Sequence, residues 1–421
     1  MSKYELIIIG AGAAGMLAAV AAAQKGISVL LLEKMEKAGR KIRITGKGRC
    51  NITNTKEWEE FSEHIYPRSN FLKPAFYNFS NMQTISFFES IGLPVVIERG
   101  GRAYSESGKS IDVVESLVRH LHSLGVEISY NSKVIDITTS DNIAESVVWL
   151  KNGKRQEELA KAVIIATGGL AYPLTGSDGD GYMLAKKMNH SLTECWPSLT
   201  ALMPRNYNTK LEGLTLKNVG IELYVGGESV QSERGDIDFT NNGIEGPIGL
   251  KISRRAVKAL IRGEKVYTVI DLKPALTEEQ ISNRIKREIK ERGTLQIWNL
   301  LSLLLPKQLI PSFLTTNKIK PESTVQINDE KIMSLIVRSL KYWKLDLESF
   351  TSYERAVITA GGISLDEIVS KNMSSKLVKN LFFAGEVIDL DADTGGYNLQ
   401  IAFSTGYLAG NEAAHLIEKS R

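Results

Sequence analysis

Three glycines and one acid, Gly10, Gly12, Gly15 and Glu33, are spaced to hold a dinucleotide. In Gly10-Ala11-Gly12-Ala13-Ala14-Gly15 the first glycine permits a tight turn, the second lets backbone approach a pyrophosphate, and the third lets a helix pack closely on a sheet. A helix starting there turns its free N–H groups toward the phosphates. Glu33 follows close to the roughly 20-residue offset at which a carboxylate accepts ribose hydroxyls. The glycines alone would also suit an ordinary strand-to-helix turn, so the acid carries much of the distinction. A second group, Arg40, Lys41, Arg43, Lys47 and Arg49, lies in the glycine-punctuated stretch 36–54. There, cations can meet phosphate and small residues can lie against a flat ring. By itself the stretch also reads as a solvated basic loop or a nucleic-acid patch, and its place just after Glu33 favours a cofactor. Near the C-terminus Gly385-Glu386, Asp389 and the pair Gly395-Gly396 recur in a strand-to-helix setting. A carboxylate at a strand end can accept sugar or ribityl hydroxyls, and a helix N-terminus can stabilise negative charge on a ring.

The elements that must position these residues are visible in the pattern. Leu6 to Ile9 is a short apolar strand, an alanine-rich helix runs to about Gln24, and a second strand, Ile27 to Leu32, ends on Glu33. Residues 58–97 read as mostly helical, ending at Gly92 before a strand. Ile111 to Leu124 is an amphipathic helix, and Val126–Tyr130, Lys133–Thr138, Ser146–Lys151 and Ala162–Ala166 are strands. Short β-rich runs with glycine turns then suggest a small antiparallel barrel or sheet over 195–272. Charged helical periodicity takes over from 276 to 350, and Leu381–Ala384 with a helix from Tyr397 to about Glu418 returns to the first pattern. The expected organisation is α/β: a Rossmann-type FAD-binding domain in two segments, 1–194 and 351–421. A β-rich domain, 195–272, and a helical domain, 273–350, are inserted between them.

The bulk composition narrows the class. At 421 residues, with 43% hydrophobic and 24% charged residues, the chain is a globular protein of more than one domain. Its 52 basic and 48 acidic residues are too nearly balanced to argue for a nucleic-acid partner. Cys50 and Cys195 make no disulfide framework, and five scattered histidines without a Cys-x-x-Cys suggest no metal site. With no run of about 20 apolar residues and no leader pattern, the reading is a cytoplasmic protein off the membrane, acting on a small molecule, its oligomeric state open.

The motifs together resemble those of a bacterial family of FAD-dependent oxidoreductases whose best-described activity is 3-dehydro-bile-acid delta(4,6)-reduction. The resemblance rests on GAGAAG with GRKIRITGKGRCNITN, Ala166-Thr167-Gly168-Gly169, Gly176 to Tyr182, Thr240 with Gly243, Gly246 and Pro247, and Gly385-Glu386 through Asp389 to Gly395-Gly396-Tyr397-Asn398. It spans nearly the whole chain. Arg102-Ala103-Tyr104 departs from the aromatic-proline pair expected at that point. The resemblance implies FAD, with NAD(P)H as a transient reductant, and reduction of an activated carbon–carbon double bond in a small apolar substrate. FAD is favoured over NAD because no second mononucleotide half follows the first.

Cofactor contact is expected from Gly10, Gly12, Ala13, Ala14 and Gly15, and from Glu33 and Lys34. The basic loop would add Gly39, Arg40, Lys41, Thr45, Gly48, Arg49, Cys50 and Asn51. Val134, Ala166, Thr167 and Gly168 follow, and then Gly385, Glu386, Asp389, Gly396, Tyr397 and Asn398. The loop of Thr240, Gly243, Gly246 and Pro247 is expected nearest the ring, with the insertion forming the substrate pocket. Tyr172, Tyr182, Tyr397 and Cys50 are proton donors by type, and nothing in the sequence chooses among them. A flavin-dependent tRNA-modifying enzyme and a non-catalytic FAD-binding redox protein are the alternatives.

Overall fold

The structure, a computed structural model, describes residues 3–421, the side chain of Lys47 apart. Strand β1 (Leu6–Ile9), helix α1 (Ala13–Ala23) and strand β2 (Val29–Leu32) are followed by the short helix α2 (Arg40–Ile44). Helix α3 (Ser110–Ser123) leads to β3 (Glu127–Ser129) and, further on, β4 (Ala162–Ile165). Strand β5 (Leu381–Phe383) and helix α4 (Tyr397–Lys419) come from the C-terminal segment. The five strands form one parallel sheet in the order β5-β4-β1-β2-β3. Every residue of β1, β2 and β4 is buried, as a parallel sheet covered on both faces requires.

The chain divides into two compact units, residues 1–197 with 353–421, and residues 198–352. In the first, α1 is buried nearly all round because α4 packs along it. Gly406 and Gly410 of α4 make the approach possible: a Cβ at either would stand 2.2 and 2.1 Å from the carbonyl oxygens of Ala14 and Ala18. The alanines of α1 thus serve close packing as well as helix propensity. On the other side, α3 buries Val113, Val114, Leu117 and Leu121, a stripe at helical spacing, near α1 and α2. Residues 132–159 form a three-stranded antiparallel meander beside the parallel sheet.

The second unit contains a closed six-stranded antiparallel barrel. Its strand order is Leu202–Pro204, Gly243–Glu245, Glu228–Thr240, Thr215–Val225, Val266–Asp271 and Trp343–Phe350. Residues 343–350, expected in the helical segment, are therefore a barrel strand. They pair on one side with Val266–Ile270 and on the other with Leu202–Pro204. The helices between, including Glu278–Arg292 with a Thr277–Gln280 capping box, belong to the same unit. The loop at 240–247 is pinned locally: Thr240 Oγ1 bonds Glu245 Oε1 at 3.0 Å, and the Tyr207 hydroxyl donates to the Thr240 carbonyl at 2.8 Å. Among the described residues no helix is long and apolar enough to cross a membrane, and no group of three His, Cys, Asp or Glu could hold a metal ion.

Candidate functional site: a dinucleotide cleft in the first unit

A cleft opens at the C-terminal ends of β1, β2 and β4, and the α1 N-terminus forms part of its wall. Gly10 sits at φ 102°, and a Cβ there would lie 2.6 Å from the Ala166 carbonyl oxygen, so this turn admits only glycine. Gly15 lies beneath it, its ideal Cβ 1.9 Å from the Gly10 carbonyl oxygen. Gly12 differs from both. It is the α1 N-cap without a side-chain cap bond, no acid occupies the first turn, and a Cβ built on it meets nothing within 4 Å. The uncapped N–H groups and that vacant shoulder are what an approaching diphosphate needs.

Glu33 is 9% exposed, and both its oxygens are already engaged: Oε2 accepts the Ala11 N–H and Oε1 the Met35 N–H, each at 2.9 Å. Burial raises its carboxyl above the usual carboxylate range, with the two N–H donors pulling the other way. The residue therefore fixes the fingerprint loop, and its remaining lone pairs are what it can offer to a ribose. Lys34 reaches across to Asp180 at 2.8 Å and also pairs with Asp178, while Arg40 Nη2 donates to the Leu174 carbonyl at 3.0 Å. These contacts strap residues 174–180 over the same end of the cleft. Further along, Lys41 Nζ meets Glu386 Oε2 at 2.6 Å, and Glu386 Oε1 accepts the Thr359 N–H at 2.9 Å.

Of the residues singled out in the sequence, the cleft brings together Gly10, Gly12, Ala13, Ala14, Glu33 and Lys34. It also gathers Gly39, Arg40, Lys41, Thr45 and Val134, together with Ala166, Thr167, Gly168, Gly385, Glu386 and Asn398. Outside the lining stand Gly15, Gly48, Arg49, Cys50, Asn51, Asp389, Gly396 and Tyr397. The reason for the basic loop is its backbone: after the 3-10 turn at Thr45–Gly48 the chain leaves as strand Asn51–Asn54, which pairs with Arg102–Ser105. Arg49 accordingly lies 4.4 Å over the Tyr104 ring and pairs with Glu98. The chain's departure at Arg102-Ala103-Tyr104 is thus part of that support. The sequence reading missed Ser132, Thr175, Ser177, Asp180, Ile358 and Leu399, all of which line the cleft. The Gly176-to-Tyr182 motif held the signal for two of them, Ser177 and Asp180, since it stood out without being assigned a place.

Cys50 is fully buried, and burial pushes its thiol up to about 12 against a hydrogen bond to Thr45. It holds almost no thiolate at neutral pH and lies off the cleft. The Cys50→Ser variant should keep its flavin, and Cys50 in the native protein should resist iodoacetamide while Cys195 is modified first, as read by peptide mass spectrometry. Rapid native alkylation of Cys50 would contradict this placement.

The residues fit FAD: a glycine shoulder with free N–H groups, an acid at the second strand end, and a cleft continuing to a second carboxylate at Glu386. Comparison with known proteins agrees. The HI0933-like protein Rossmann domain matches residues 4–412. The 3-dehydro-bile acid delta(4,6)-reductase of Clostridium scindens is 31% identical over 409 residues, covering 97% of this chain and 98% of that protein. The ribosomal RNA dihydrouridine synthase of Haemophilus influenzae is 30% identical with the same coverage. Among solved structures, the 3-ketosteroid-delta4-(5alpha)-dehydrogenase of Rhodococcus jostii RHA1 shares the fold at TM-score 0.56 and 16% identity, over 98% of each chain. The chain belongs to the HI0933-like Rossmann family of FAD-binding oxidoreductases.

Proposed function

We propose that this protein uses FAD held in the cleft to reduce an activated carbon–carbon double bond in a small apolar substrate, with NAD(P)H as the electron source. The observation that carries the reading is the Gly12 shoulder, open to the cleft beside uncapped N–H groups and backed by Glu33. The full-length likeness to a bile-acid C=C reductase supports the reaction type. FAD, when bound, supplies the chemistry of taking two electrons from a nicotinamide and passing them to the alkene. The chain's own part is to bind and orient. The α1 N-terminus holds the diphosphate, the Lys34–Asp180 strap encloses the adenosine end, and Lys41 with Glu386 presents a cation and a carboxylate further along.

A second reading, reduction of a pyrimidine in RNA, is favoured by one observation. The unit 198–352 carries 23 basic and 18 acidic residues, against 29 and 30 in the rest, so the excess positive charge is confined to it. Anaerobic mixing with NADH and with NADPH tests the first reading: bleaching of the flavin followed by reoxidation with steroid enones is expected. Reoxidation only by uridine-containing RNA, with salt-dependent binding, would give the second reading the function. Failure of both nucleotides to bleach the flavin would leave a non-catalytic FAD protein.

A further inference from the structure

His64 is far from the fingerprint in sequence and lies outside the cleft, yet its contacts converge on the cleft wall. Its Nδ1 is 2.8 Å from Asp393 Oδ2, and the Asp393 N–H donates to the His64 carbonyl at 3.0 Å. The next residues, Ile65–Tyr66, pair antiparallel with Asp391–Ala392. The imidazole stacks on Tyr397, the first residue of α4, with ring centres 4.4 Å apart, and Phe61 meets the same tyrosine edge-to-face at 4.8 Å. Asn398 completes the assembly. Its side-chain oxygen accepts the Ala392 N–H at 2.8 Å, and its amide donates to the Ala392 and Asp393 carbonyls at 2.8 and 3.3 Å. Asn398 and Leu399 line the cleft.

The two ring nitrogens meet groups of opposite charge type: Nδ1 faces the Asp393 carboxyl at 2.8 Å, and Nε2 faces Lys56 Nζ at 3.2 Å. Lys56 in turn lies 3.5 Å from Glu60. The imidazole thus joins the stretch leading into Ile65–Tyr66 to the turn that starts α4, with Asp393 on one side and Lys56 on the other. A plain surface histidine would need neither, and its side chain here is only 16% exposed.

From this network we infer that His64 is a positioning residue for the flavin half of the cleft: by holding Asp393 and Tyr397 it sets the α4 N-terminus, and so Asn398 and Leu399, at the wall that faces the cofactor. The inference rests on the FAD reading above. The fingerprint and Glu33 mark the diphosphate and adenosine half, so the rest of the cofactor must extend toward Lys41, Glu386 and Asn398. Loss of His64 should therefore act on one half of the ligand only.

The test compares FAD with ADP, which fills the adenosine and diphosphate half alone. Stripped wild-type protein, His64→Ala and His64→Asn are titrated with each ligand by fluorescence or calorimetry. His64→Ala should bind FAD about tenfold or more weakly, as expected for losing a hydrogen bond to a charged group, with ADP affinity unchanged within about twofold. His64→Asn, whose amide can replace Nδ1–H toward Asp393, should recover most of the FAD affinity. Equal weakening of FAD and ADP would show a general packing role and overturn the inference, as would unchanged FAD binding in His64→Ala or no rescue by asparagine. A wild-type protein that binds ADP but not FAD would instead remove the FAD reading and, with it, this one.

Discussion

A Gly12→Val variant should fold like the wild type and come off the column colourless. Gly12 has φ −82° and ψ −168°, ordinary extended geometry for valine, and a Cβ there meets no atom of the chain within 4 Å. Loss of glycine at an N-cap costs within about 1 kcal/mol, small against a stability of about 5–15 kcal/mol. The valine methyls would occupy the shoulder on which the diphosphate must approach, so cofactor retention is lost while the fold is kept. Absorbance at 450 nm and the urea midpoint of the apo-protein measure the two separately. A yellow Gly12→Val protein would mean that the diphosphate does not lie at the α1 N-terminus. A collapsed urea midpoint would mean that Gly12 serves the fold as Gly10 and Gly15 do.

The Gly406→Ala, Gly410→Ala double variant tests the opposite case, glycines that serve packing. Helix propensity alone predicts stabilisation of about 1 kcal/mol at each site. Packing predicts the reverse, because each new Cβ would be 2.1 to 2.2 Å from a carbonyl oxygen of α1 and neither backbone can yield without shifting a whole helix. Overpacking costs about 1–3 kcal/mol per site, and contact with backbone on both sides places these at the upper end. A lower urea midpoint is therefore expected, with weaker FAD retention because α1 carries the fingerprint at its N-terminus. An unchanged or raised midpoint would show that α1 and α4 separate more easily than their contact implies.

Much of the scaffold was legible because its signals are local. The apolar run of β1, the glycines after it, the acid at the end of β2 and the capped periodicity of Glu278–Arg292 each depend on residues within a turn or two of one another. The sequence by itself therefore determined the Rossmann start, the α/β class and the return of the chain near Leu381. The barrel was legible only in part. Glu228–Thr240 is largely polar, with nothing buried before Ile237 and Phe239, so it has no apolar alternation to announce a strand. It is extended because Thr215–Val225 pairs with it, and Trp343–Phe350 is a strand for the same reason, held between two barrel neighbours.

The site divides along the same line. Glycine roles and Glu33 follow from backbone geometry within the βαβ unit and could be read in order. That Lys41 meets Glu386, that Lys34 meets Asp178 and Asp180, and that His64 holds Asp393 are pairings across 345, 144 to 146, and 329 residues. No local pattern specifies them, because a lysine or histidine carries the same short-range preferences whatever acid it later finds. The basic loop shows the converse: Arg40 and Arg49 look alike in sequence, and only the turn at Thr45–Gly48 sends one to the cleft and the other to Glu98 and Tyr104. Residue type and spacing decided which groups could serve a cofactor, and the packing of α4 against α1 and β4 decided which of them face it.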